Sequence, residues 1–272
     1  MISEPRTAEV LVTVKAYPNP SRALGEAACF AGINREGRFV RLYPVRYRYL
    51  EDENRFQKYQ WVRLQVFPPN NDPRPETLRP DLESLEVISE PLSTTDYWAA
   101  RREIVLPLAS SSLCDIQDRQ TQDRTSLGLF RPHEVLDFNW EREKNPDWTE
   151  EERTLLSQQD LFYTKERRLL EKIPYKFRYR FRCDGCRSRE PHHMMIVDWE
   201  LMEQFRRLRR QSATEKECLE KLRDNWLGNL CGPKRETYFF TGNMQQHLNA
   251  FLILGVFWPP REEQYRLDLS MQ

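Results

Sequence analysis

PYKFRYRFRCDGCRSREPHHMMIVDWELMEQFRRLRR, residues 174–210, changes its period part-way along. From Tyr175 to Arg182 the alternation is strict: Tyr175, Phe177, Tyr179 and Phe181 fall on one face of a strand, and Lys176, Arg178, Arg180 and Arg182 on the other. One face is core-like and the other cationic. The strand runs into Cys183-Asp184-Gly185-Cys186, a polar turn, His192-His193 and the apolar run Met194–Val197. Asp198 then stands where a helix cap belongs, with Glu200 in the first turn and arginines at 206, 207, 209 and 210 in the last, which suits the helix dipole at both ends.

Working outward, a second helix is expected from Thr214 to about Leu227, and two strands over 236–241 and 250–257; the continuous apolar run in the last implies burial on both faces. Towards the N-terminus, Glu9–Lys15, Ala27–Ile33, Arg38–Tyr43 and Gln60–Val66 read as strands, the middle pair joined by an Asn34–Gly37 hairpin turn. Leu82–Ile88 resumes strand character, and Thr95–Glu103 reads as a short helix capped by Thr94, Thr95 or Asp96. Leu113–Thr125 is polar and weakly patterned, and 133–140 alternates like another strand. Short strands joined by turns suggest a small barrel or sandwich in this half.

The 272 residues have room for one large or two ordinary domains. Aromatic residues make up 12%, enough to offset the chain entropy of folding. Forty-two basic residues balance 42 acidic ones, so the whole surface cannot coat nucleic acid and any basic site must be local. No apolar run approaches the roughly 18–20 residues needed to span a bilayer, and the start has no signal-peptide pattern; a soluble, cytoplasmic protein without a membrane partner is expected. The six cysteines are scattered, so most should be reduced thiols.

At GEAACFAGINREGRFVRLYPVRYR (25–48), IPYKFRYRFRCDGC (173–186) with HHMMIVDWE (192–200), and TYFFTGNMQQHLNAFLILGVFWPP (237–260), the chain resembles a widespread prokaryotic family of uncharacterised proteins. The resemblance implies an N-terminal dual OB-fold-containing domain. The expected class is therefore α+β: a β-rich N-terminal half with one or two small OB-like barrels over 1–140, a linker or excursion over 141–170, and a smaller mixed α/β domain over 171–272.

Three constellations carry chemistry. Cys183 and Cys186 with His192 or His193 offer up to three zinc ligands, and Cys218 or Cys231 could complete a tetrahedron; the alternative is unligated thiols. His192, His193, Asp198, Glu200 and His247 could form a metal-dependent hydrolytic site, plausible for a nuclease, although Asp198 as a cap and Glu200 as a first-turn charge explain both acids without catalysis. Arg41, Tyr43, Arg46, Tyr47 and Arg48, with Lys176, Arg178, Arg180 and Arg182, combine the cations and aromatics by which OB barrels hold single-stranded nucleic acid. That binding function is the preferred reading. The alternatives are the hydrolase and a protein-interaction scaffold.

Overall fold

The first long strand already shows why two barrels form. In the computed structural model, which describes residues 4–21, 25–157 and 169–262, strand β1 (Arg6–Lys15) buries Val10, Leu11, Val12 and Val14 in one unbroken run. Val10 and Val12 point into one core with Phe30, Leu42 and Val62, while Leu11 and Val14 join a second core with Leu129, Phe240 and Phe257 from the far end of the chain. A strand buried on both faces lies between two packed bodies.

The N-terminal elements continue with β2 (Asn19–Ser21), β3 (Gly25–Asn34), β4 (Phe39–Val45), β5 (Trp61–Phe67), β6 (Thr77–Pro80), β7 (Glu86–Val87) and helix α1 (Thr95–Val105). Hydrogen bonding runs β1-β3-β4-β6-β5 and closes through a β1–β5 pairing, giving a five-stranded barrel; only the β4–β6 contact is parallel. The hairpin between β3 and β4 turns on Asn34, whose Oδ1 accepts the Arg38 N–H at 2.8 Å, and on Gly37, whose φ of +68° suits a residue without Cβ.

The remaining elements are β8 (Ala109–Ser110), α2 (Leu113–Asp123), β9 (Leu127–Phe130), β10 (Pro132–Arg142), α3 (Glu150–Ser157), β11 (Tyr175–Cys183), β12 (His192–Met195), α4 (Trp199–Gln211), α5 (Glu215–Arg223), β13 (Tyr238–Met244) and β14 (His247–Phe257). Strand β10 pairs with β11, β11 with β12, β13 with β14 and β9, all antiparallel. Just past β12, Ile196 bridges Ile253 of β14 in parallel, and Val197 N–H donates to Ile253 O at 2.9 Å. Because β9 and β10 are nearly one continuous strand, the path β9/β10-β11-β12-β14-β13 returns to its start. Counting β9/β10 as one strand, both barrels therefore have the order 1-2-3-5-4, closing 4 to 1, with the lone parallel contact between strands 3 and 5: an OB-like topology repeated in each half. Between strands 3 and 4 of the second barrel, α4 and α5 bury Leu201, Phe205, Cys218 and Leu222 against the aromatic face of β11, where Phe205 meets Tyr175 and Phe177 at 5.7 and 5.6 Å.

The α+β, β-rich class stands, but its layout differs in several places. One barrel occupies each half, and residues 127–142 pair with the C-terminal strands β11 and β13. Part of the linker expected over 141–170 is α3, and 158–168 lie outside the described residues. Leu113–Asp123 is a helix where weak patterning gave none, its N-terminus capped by Ser112 Oγ accepting Asp115 N–H at 3.1 Å. Thr94 makes no side-chain cap for α1; its first turn is left-handed at Asp96, Tyr97 and Trp98. No helix among the described residues is long and apolar enough to cross a membrane.

The barrels are bolted together at Asp198. Tyr17 N–H donates to Val197 O at 2.9 Å, Asp198 Oδ1 caps α4 by accepting Glu200 N–H at 2.8 Å, and Lys58 Nζ reaches Asp198 Oδ2 at 3.0 Å and Glu200 Oε2 at 2.9 Å. Burial lifts the Asp198 carboxyl to about 6 against the pull of Lys58. Burial by itself would lower the Lys58 pKa, but the two carboxylates outweigh it and hold the ammonium above the ordinary lysine range. Removing one member of a buried pair strands the other, so Lys58→Met should lose about 3–5 kcal/mol in denaturant unfolding. Glu200→Gln, at a carboxylate 60% exposed, should cost less than about 1 kcal/mol.

Candidate binding cleft and metal-ligating cluster

A cleft of about 550 Å³ opens where the two barrels face each other. From the first barrel it takes Tyr17 beyond strand 1, Arg41 and Tyr43 on strand 3, and Arg74 in the loop between strands 4 and 5. From the second it takes Trp148, Lys172 and Lys176, around the connection between β10 and β11, and the β13–β14 turn at Met244–Gln246. Arg74 holds the two sides together, donating to Asp72 Oδ2 at 2.6 Å and to Asn243 O at 2.7 Å. Lys172 Nζ lies 4.9 Å from the centroid of the Trp148 ring, and Lys176 pairs with Glu143 at 3.1 Å. Tyr43 is half-buried, and that burial raises its phenol above the usual range. Arg41 Nε and Asn243 Oδ1, both on residues lining the cleft, have no hydrogen-bond partner among the described residues.

A different cluster forms at the far end of β11. Cys183 ends that strand, Cys186 follows a turn whose Gly185 has φ +57°, His192 opens β12, and Cys114 sits in the first turn of α2. Their ligand atoms all lie within 4.8 Å of one another. His192 Nε2 is 3.1 Å from Cys186 Sγ, 3.4 Å from Cys183 Sγ and 3.9 Å from Cys114 Sγ, and the Cys114 and Cys183 sulfurs are 3.8 Å apart.

The structure separates several residues that sequence reasoning grouped. His193 turns away from the cysteines to Asn139 Oδ1 at 2.9 Å, because successive residues of a strand face opposite sides. Cys218 is buried beside Phe205 O at 3.8 Å, and Cys231 lies near Tyr179 and Thr237; neither belongs to the cluster. Of the supposed hydrolytic set, His192 stands among thiols, Asp198 is a buried cap and ion-pair partner, Glu200 serves Lys58, and His247 is exposed at the start of β14. They make no common site.

The basic and aromatic set is divided as well. Arg41 is 1% exposed and spends its guanidinium on Ser126, Nη1 to Oγ at 2.5 Å and Nη2 to O at 2.9 Å, so it is wall and not a phosphate clamp. Tyr47 packs among Phe30, Phe56 and Trp199 at 5.1–5.3 Å. Arg48 pairs with Glu26 at 2.7 Å, and Arg46 is half-buried and lies outside the cleft lining. On β11, the cationic face lies beside an acidic one: Arg182 is opposite Glu134, Arg180 opposite Asp137, and Arg178 reaches Glu141 at 3.0 Å. Of these cations Lys176 and Arg178 are ion-paired, while Asp137 takes Arg223 at 2.8 Å. Tyr43 and Lys176 remain in the cleft.

Two family models cover the chain. The one described as domain of unknown function (DUF8757) matches residues 109–272, and a domain of unknown function (DUF8758) matches residues 6–107. The chain belongs to the DUF8757 family. The border between the matches coincides with the division between the barrels, and the Cys/His cluster lies wholly within the DUF8757 part. No curated protein matches. Among solved structures, the chain is similar to one titled "Structure and Conformational Change of a Replication Protein A Heterotrimer Bound to ssDNA", with 9% identity and a TM-score of 0.27 over 99% of this chain and 69% of that one. It is also similar to the "Crystal structure of the tetrameric p202 HIN2", with 8% identity and a TM-score of 0.28 over 96% and 93%. At such scores neither likeness bears on function.

This DUF8757 member has a second cavity, of about 520 Å³, between the Gln57–Tyr59 segment of the first barrel and the start of α4. Lys15 lines it, donating to Tyr47 Oη at 2.9 Å and Phe56 O at 2.5 Å with its Nζ 4.0 Å from the Tyr47 ring centroid. Burial first, and then the neighbouring Lys58 charge, pull the Lys15 amine down to about 7. In the unfolded chain a lysine titrates near 10.4, so between about pH 7 and 10 the unfolded state binds the extra proton and stability rises with pH. Below about pH 7 the amine is charged in both states and that gain is lost. Thermal unfolding of wild type and Lys15→Met across pH 6–10 should therefore show the wild type gaining on the variant as pH rises.

Proposed function

We propose that the chain is a nucleic-acid-binding module that takes a short single-stranded segment, one or two nucleotides deep, into the cleft between its barrels. The observation that carries this reading is positional. The cleft is lined by strand 3 of the first barrel and by its connections 1–2 and 4–5, the surface by which OB folds take up oligonucleotides, and the second barrel closes over it with its own corresponding loops. A volume near 550 Å³ falls within the roughly 300–1,000 Å³ of small-ligand sites, which suits one or two nucleotides and not a long strand.

The side chains fit that occupant. Tyr43 and Trp148 are half-buried aromatics able to take a base on a ring face, and Lys172 and Lys176 lie beside them for the backbone. Their partners Glu152 and Glu143 keep the cleft close to neutral, so stacking should count for more than charge, in keeping with the zero net charge of the chain.

Titration with fluorescent oligo-dT and oligo-rU of two to eight nucleotides tests the reading. Tyr43→Ala and Trp148→Ala should each cost about 1–3 kcal/mol of binding. Lys176→Ala should lower the salt slope by about 0.7, and Arg180→Ala, outside the cleft, should change nothing. Absence of binding at low salt, or wild-type affinity in both aromatic variants, would exclude the cleft.

A further inference from the structure

We propose that Cys114, Cys183, Cys186 and His192 bind one zinc ion in a closed Cys₃His site that pins α2 to the β11–β12 hairpin. Zinc in structural sites is held tetrahedrally by thiolates about 2.3 Å away and imidazole nitrogens about 2.0–2.1 Å away, which sets tetrahedral edges of about 3.8 Å between sulfurs and about 3.5 Å between sulfur and nitrogen. The Cys114–Cys183 separation of 3.8 Å and the three sulfur–nitrogen separations of 3.1, 3.4 and 3.9 Å scatter around those edges. Four of the six edges are therefore near those the ion requires, and the two from Cys186 to the other sulfurs lie within 4.8 Å.

Four protein ligands leave no coordination position for water or substrate, which makes the site structural and not catalytic. Its ligands come from sequence positions 69 residues apart, the Cys114–Cys183 span. Closing it therefore fixes the helix that precedes the second barrel onto the strand at that barrel's centre. The surroundings support the same role. Arg187 donates to Cys114 O at 3.0 Å and to Asp118 at 2.7 Å, tying the loop after Cys186 to α2 and placing a cation beside a centre that carries one net negative charge when three thiolates hold a divalent ion. The His192 ring lies against Phe181 at 5.3 Å, which fixes the plane from which Nε2 faces the sulfurs. Binding is not a redox step: each thiol gives its proton to solvent, and His192 presents an unprotonated Nε2.

The test uses the full chain, purified without a histidine tag or chelator. Elemental analysis should find one zinc per chain, and cobalt(II) exchanged into the site should give the visible absorption of a tetrahedral thiolate complex. Cys114→Ser and His192→Ala should lose the metal, while Cys218→Ser, Cys231→Ser and His193→Ala keep the full equivalent. Should Cys114→Ser fail to fold, Cys114→His, which preserves a ligand, should fold and retain one zinc. The proposal is overturned if wild type holds no zinc after reconstitution with zinc salts, if iron occupies the site instead, if thiol counting shows a Cys114–Cys183 disulfide, or if folded Cys114→Ser keeps a full equivalent.

Discussion

The ammonium of Lys58, with a side chain only 8% exposed, sits between the carboxylates of Asp198 and Glu200, and the relation of the two barrels depends on it. Asp198 is in the same place the cap of α4 and the residue after Val197, whose carbonyl accepts from the first barrel and whose N–H donates to β14. One carboxylate therefore satisfies a helix N-terminus and a buried cation at the point where main-chain hydrogen bonds cross between the barrels. A buried charge without a partner is costly, so the arrangement holds only when both barrels are seated.

That seating creates the cleft. Neither barrel encloses it alone: strand 3 and two connections of the first barrel form one wall, and the loops of the second form the other. The bridge made by Arg74, bound to Asp72 on its own loop and to Asn243 O across the gap, sets the spacing of the walls. The core between the barrels, built from Leu11, Val14, Leu129, Phe240, Leu254 and Phe257, keeps them from rotating, because each of those strands also serves a barrel interior on its opposite face. Cleft, interface and barrel cores are thereby parts of one packing problem.

The Cys/His cluster stands apart from the cleft and works at another scale. It brings α2 against the strand whose other end reaches the cleft through Tyr175 and Lys176. Strand β11 thus runs from the Cys/His cluster to the cleft, with a continuous aromatic face of Phe177, Tyr179 and Phe181 between them buried in the second barrel. Tyr179 stacks on Phe239 at 4.9 Å and 17°, so the strand that links the two features is also among the most firmly packed.

Local pattern was enough to define β11, the Asp198 cap and α4, the hairpin at Asn34–Gly37 and the doubly buried last strand, since periodicity and capping depend on residues close in sequence. It also picked out Cys183, Cys186 and His192, and Tyr43 and Lys176 in the cleft. Cys114 was beyond its reach: its helix shows no clear apolar period, and no spacing rule joins two residues 69 apart. The same limit made Arg41 read as a surface cation, because alternation assigns it a face but not what covers that face; Ser126 and Glu76 arrive from other elements to bury it. The basic stripe of β11 lost its independence when β10 laid Glu134, Asp137 and Glu141 alongside. Sequence determined which residues could be strand, cap, ligand or stacking ring. Tertiary structure decided which of them meet, because burial and charge pairing depend on contacts that only the closed barrels supply.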